Sequence, residues 1–103
     1  MLMRCYESRE TGVIVVSLGY GDLLLECLRQ AARERDIHTG VIMTGIGSLS
    51  YGRIHSVVTN DNPPADRFFE LPGPLEMAGF RGIIADYEPH VHVSLMDRDG
   101  RYY

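Results

Sequence analysis

Polar and apolar positions alternate most cleanly in residues 89–100, Pro-His-Val-His-Val-Ser-Leu-Met-Asp-Arg-Asp-Gly. Strand side chains point alternately to the two faces of a sheet, so His90, His92 and Ser94 share one face. Val91, Val93 and Leu95 share the other, which suits a core. The same reasoning predicts strands over residues 3–8 and 13–18, joined by a hairpin turn at Arg9-Glu10-Thr11-Gly12. Val13-Ile14-Val15-Val16 is apolar on both faces, the pattern of an interior strand. Leu24, Cys27, Leu28 and Ala31 fall at helical spacing and predict one amphipathic helix after Gly19-Tyr20-Gly21-Asp22. Asp22 suits the positive end of that helix dipole, and Arg33 and Arg35 suit the negative end.

Residues 40–46 and 51–59 predict further strands, the second with Arg53, His55, Val57 and Thr59 on one face. Asn60-Asp61-Asn62-Pro63-Pro64-Ala65-Asp66 is dense in turn formers and predicts a loop. A short strand over 67–71 is expected to stop at Pro72-Gly73-Pro74 before another over 75–85. Asp86-Tyr87-Glu88-Pro89 turns the chain into the histidine strand. Asp97-Arg98-Asp99-Gly100 opens a hairpin whose return strand ends after three residues, so the expectation is a single domain over 1–103 lacking its C-terminal strand or strands. Two strands, a helix and then successive hairpins give an α+β class: a mostly antiparallel sheet with one main helix packed on it.

Composition narrows the function classes. The formal charge is −4, and all ten cationic residues are arginine. Sequence-independent nucleic-acid binding draws on Lys and Arg against phosphates, so this balance argues against a bare DNA binder. Cys5 and Cys27 match no metal or redox spacing and read as small apolar residues. No apolar run approaches the ~20 residues of a membrane span and no leader is apparent, so no membrane partner is expected and the cytoplasm is the default compartment. The glycines before the helix form no phosphate loop, because Leu24 stands where a third glycine is needed and Asp22 would repel an anion.

Taken in order, five segments resemble one family: Gly21-Asp22-Leu23-Leu24, Gly45-Ile46-Gly47-Ser48-Leu49, Gly73-Pro74-Leu75-Glu76, Gly82-Ile83-Ile84-Ala85 and Pro89-His90-Val91-His92-Val93-Ser94-Leu95. Together they resemble the plant-and-prokaryote-conserved (PPC) domain, over nearly the whole chain. The resemblance implies a mostly antiparallel sheet, one long helix and a homotrimer. Prokaryotic members that stand alone are labelled DNA-binding by analogy with plant relatives that carry AT-hook segments. Some resemble metalloproteins using a His-x-His strand and a further His in a Gly-Gly-His segment downstream, which is absent before Tyr103. Members with Arg-Ile-His before the Pro-Pro loop look closest, which adds His55 to the candidates.

The candidate ligand set for a divalent metal, zinc first, is therefore His55, His90 and His92, with Glu76 as a supporting partner. Fe and Ni fit the same donors. The plainer alternative is a hydrogen-bonded polar sheet face. Gly45, Gly47 and Ser48 are candidate ligand contacts, although glycines in such a run more commonly mark a corner. His38, with no partner nearby in sequence, reads as a surface residue.

Three functions are carried forward. The first is a trimeric binding or assembly module with a metal or small ligand at the histidine face. The second is a DNA-binding regulator, distinguished by salt-dependent retardation of duplex DNA. It lacks the Arg-Gly-Arg-Pro hook core. The third is a small metal-dependent hydrolase, for which no nucleophile motif and no general base stand out. No catalytic residue is assigned.

Overall fold

The structure, a computed structural model, describes all 103 residues. It contains six strands and one helix: β1 (Arg4–Glu7), β2 (Ile14–Ser17), α1 (Leu24–Glu34), β3 (Thr39–Ile42), β4 (Gly47–Val57), β5 (Asp66–Ala85) and β6 (Glu88–Asp97). The class is α+β with antiparallel pairing, as the sequence predicts. β1 and β2 form a separate ribbon, while β3, β4 and β6 all pair with β5. No helix is long and apolar enough to cross a membrane.

The chain divides into two compact units. The first comprises residues 1–43 and 82–91. Its helix buries Cys27, Ala31 and Ala32, with Leu24 and Leu28 half-buried, so the predicted stripe is the inward face. Arg29 and Arg33 both hold Glu88 at the start of β6, at 2.8 and 3.2 Å. The interior role expected of residues 13–16 is not realised within one chain. β2 has β1 as its strand partner, and Val13 and Val15 are 42% and 57% exposed.

The second unit comprises residues 44–81 and 92–103. Leu71, Leu75 and Leu95 form its buried core, with Leu49, Ile54, Met77 and Val93 packed against them. Pro72-Gly73-Pro74 does not end a strand, contrary to expectation. β5 runs through it as 20 residues, and the register with β4 shifts between Leu49 and Tyr51. This β-bulge is where a strand tolerates proline. A Cβ on Gly73 would collide with the backbone carbonyl of Ser50, so only glycine lets the strands approach there.

One carboxylate in each unit ties down backbone. Asp22 does not cap α1 but accepts the N–H groups of Leu2 (2.8 Å) and Gly19 (3.0 Å). Asp97 organises the last hairpin by accepting from the Arg101 and Asp99 N–H groups at 3.0 and 2.9 Å, and from the Tyr103 hydroxyl at 3.2 Å. The Gly19 and then the Leu2 bond hold Asp22 below the usual aspartate range, and the Arg101 bond does most of the same for Asp97. A depressed folded-state pKa stabilises above the unfolded value of about 3.9 and is lost as pH falls through the folded one. Acid unfolding followed by circular dichroism is therefore expected to lose its dependence on each site in Asp22→Asn and Asp97→Asn. Both variants should be less stable than wild type at pH 7 and converge on it as pH falls through the depressed pKa of each carboxyl.

Candidate functional site: the histidine face of β6

β6 keeps the predicted alternation. His90, His92 and Ser94 are exposed, Val91 and Val93 are half-buried, and Leu95 is buried completely. A strand with one apolar face must turn its polar set outward, and here that set holds two imidazoles and a hydroxyl. β5 supports it from behind with glycine. A Cβ on Gly82 would collide with the His90 carbonyl, and one on Gly79 would rest at 3.7 Å from Ser94 Oγ. The Gly79–Ser94 contact places Arg81, two residues on, across from His92. A guanidinium there favours an anionic or dipolar ligand over a bare cation.

His55 stands elsewhere. β4 does not lie beside β6, since both strands pair with β5. His55 is opposite Phe68, its ring 5.3 Å away, and its Nδ1 is 3.8 Å from an Asp66 oxygen. Phe68 and Gly79 are separated by about 11 residues of β5, on the order of 35 Å along a straight strand. No group of three or more His, Cys, Asp or Glu side chains is placed to hold a metal ion. The donors of one chain therefore do not fit the three-histidine site expected from the sequence.

The remaining candidates separate in the same way. Glu76 and Ser48 are opposite one another in the β4–β5 ladder, and both are exposed. Gly45 is a packing position, because a Cβ there would approach the Phe80 ring to 2.8 Å. Gly47 has space around it and a φ of 152°. A recess of about 360 Å³ lies between residues 71–75 and the 97–103 hairpin, lined by none of these candidates.

One constellation escaped the sequence reading. His38 is a surface residue, as expected, yet it lies 3.3 Å from Asp86 and meets Tyr87 edge-on with ring centroids 5.2 Å apart. Tyr87 donates its hydroxyl to Asp36 at 2.6 Å and its N–H to the His38 carbonyl at 3.2 Å. The bond to the Asp36 carboxylate is the main reason the phenol is pushed up from its ordinary value. Asp36, Asp86 and Tyr87 are the chain's three non-glycine residues with positive φ. Asp86 and Tyr87 form the two-residue turn into β6, a conformation usually given to Asn-Gly. Their partners hold that turn, and with it the start of the histidine strand.

Comparison with known proteins follows the same lines. The profile of the Plants and Prokaryotes Conserved (PCC) domain matches residues 6–103. No curated protein matches the chain. Among solved structures, a Bacteroides thetaiotaomicron protein determined at 1.50 Å, described as "a putative dna binding protein", superimposes with a TM-score of 0.80. Identity is 15%, over 100% of this chain and 71% of that one, a likeness of fold.

Proposed function

This chain belongs to the Plants and Prokaryotes Conserved domain family, and from that premise we propose that it works as a homo-oligomeric binding module, a trimer whose histidine faces take the ligand. The observation that carries the reading is how little one chain buries. Eight hydrophobic residues form its core, whereas Val41, Met43 and Ile46 are 73%, 73% and 91% exposed. The surface of one chain is 7852 Å², against about 5,800 Å² for a folded monomer of this mass. The surplus of about 2,000 Å² is more than one standard interface, which takes about 800 Å² from each partner.

The finer reading concerns what His90 and His92 bind. Within one chain they fall short of a metal site, so a metal here would draw its remaining donors from another copy. Sedimentation velocity tests the assembly: a species of about three times the 11.6 kDa chain mass is expected, and a monomer at micromolar concentration overturns it. Elemental analysis of the same material, prepared without chelators or a His-tag, tests the metal. Metal at about one ion per site that disappears in His90→Ala/His92→Ala supports it, while none in either overturns the metal and leaves the histidines as a polar sheet face.

DNA binding is the second reading, supported by the description of the Bacteroides neighbour. The chain's own charges favour it less. Arg29, Arg33 and Arg53 are already paired with carboxylates, and the net charge is −4. A metal-dependent hydrolase gains no support from donors that do not assemble within one chain.

A further inference from the structure

The recess of about 360 Å³ lies wholly within the second unit. One wall is the bulged Pro72-Gly73-Pro74 stretch of β5, and the other is the hairpin that follows β6. Leu71 and Leu75, both buried, line it beside the exposed Pro72 and Pro74. Proline carries no N–H, so this wall offers a ligand mainly ring carbon.

The hairpin wall is set before any ligand arrives. The Asp97 N–H donates to the Arg101 carbonyl and the Gly100 N–H to the Asp97 carbonyl, both at 3.0 Å. Gly100 supplies the positive φ of 80° at the turn. Tyr103, also part of the lining, is tied to Leu95 through its N–H and carbonyl and to Asp97 through its hydroxyl. A wall fixed in this way costs little to order on binding.

Charge decides what the recess can hold. Asp97, Arg98, Asp99 and Arg101 all line it. The Asp97 carboxylate is already occupied by the N–H groups of Asp99 and Arg101 and by the Tyr103 hydroxyl. Arg98 and Arg101 enter no ion pair, whereas Arg29, Arg33 and Arg53 do. Their two guanidiniums against the Asp99 carboxylate leave one positive charge in excess. A guanidinium takes a carboxylate through a bidentate pair of charge-assisted hydrogen bonds. The volume is at the small end of ligand cavities, which start at about 300 Å³. We propose that this recess binds a small carboxylate with a compact apolar body, its oxygens on Arg98 and Arg101 and its body against Pro72 and Pro74. No residue of the histidine face lines it, so the site is a second one and does not rest on the reading given above.

Titrating the isotope-labelled full chain with benzoate at constant ionic strength, followed by NMR, tests it. Saturable shifts are expected at the N–H groups of Asp99, Arg101 and Tyr103, and at those of Leu71, Gly73 and Leu75. Benzamide has the same shape without the charge, and it should bind at least about tenfold more weakly. Acetate keeps the charge without the ring and should also bind more weakly than benzoate. Arg98→Ala/Arg101→Ala should weaken benzoate at least about tenfold, and both side chains are exposed, so the fold is expected to hold. Shifts that never saturate, or that spread over the other surface arginines, overturn the site. Benzamide binding as tightly as benzoate overturns the carboxylate, and acetate doing so overturns the apolar body. Inorganic phosphate that displaces benzoate at lower concentration overturns the choice of carboxylate over phosphate. Unchanged benzoate affinity in the folded double variant overturns the role of the two arginines. Should circular dichroism show that variant unfolded, the shift map and the benzamide comparison decide on the wild-type chain alone.

Discussion

Gly82→Ala is expected to cost about 3 kcal/mol of stability, the upper end of the usual overpacking range, although it adds one methyl group to a strand. The Cβ would collide with the His90 carbonyl and stand 2.8 Å from Val91 Cα and 3.0 Å from the His90 carbonyl carbon. All three are backbone atoms of the neighbouring strand, so no rotamer change relieves the contact. Either β6 moves away from β5, or the two strands lose their pairing. Gly79→Ala makes the comparison informative. Its Cβ would meet Ser94 at an ordinary 3.7 Å, and a change under about 1 kcal/mol is expected. Urea unfolding of both variants checks this. Equal effects would mean that β6 does not approach β5 as closely at Gly82 as described.

Leu95→Ala is expected to lose about 2–5 kcal/mol, a large part of the 5–15 kcal/mol typical of a domain. Leu95 is 0% exposed and shares its core with Leu71 and Leu75. The truncation leaves a cavity that this small cluster is poorly able to fill, since Leu95 is held in place by its N–H and carbonyl, both bonded to Tyr103 at 2.8 Å. A site for Cβ on Gly52 lies only 3.3 Å from Leu95 Cδ1, so the β4 backbone packs on this side chain directly. Thermal and urea unfolding should both show the loss. His92→Ala, on the outward face of the same strand, is the reference, and a comparable loss there would contradict the division into a buried and an exposed face.

That division was legible in the sequence because it depends on period alone. A two-residue alternation fixes which side chains of residues 88–97 share a face, and a 3.6-residue period fixes the inward side of α1. What period does not carry is which strands are neighbours. His55 sits on the expected face of its strand, yet it is separated from His90 and His92 because β5 intervenes, a fact of non-local pairing. The prolines misled for a similar reason. Pro72-Gly73-Pro74 reads as a break when taken locally, and becomes a bulge only because Ser50 lies opposite. Tyr87 carries no turn signal at all. Its positive φ is maintained by Asp36, 51 residues earlier, and no local motif announces a contact over that separation.

β5 also determines where chain length can vary. Adding or removing one residue in a strand turns every side chain beyond it to the opposite face. β5 serves β4 with residues 66–77 and β3 with residues 82–85, so a shift made within the first segment would reach the second. An insertion there would misplace Ile84, which is buried, together with Gly82, where the histidine strand comes closest. The exposed loop at residues 60–65 lies outside every strand and joins two ends already held by hydrogen bonds. Insertions and deletions in related chains should therefore collect in that loop and be absent from β5.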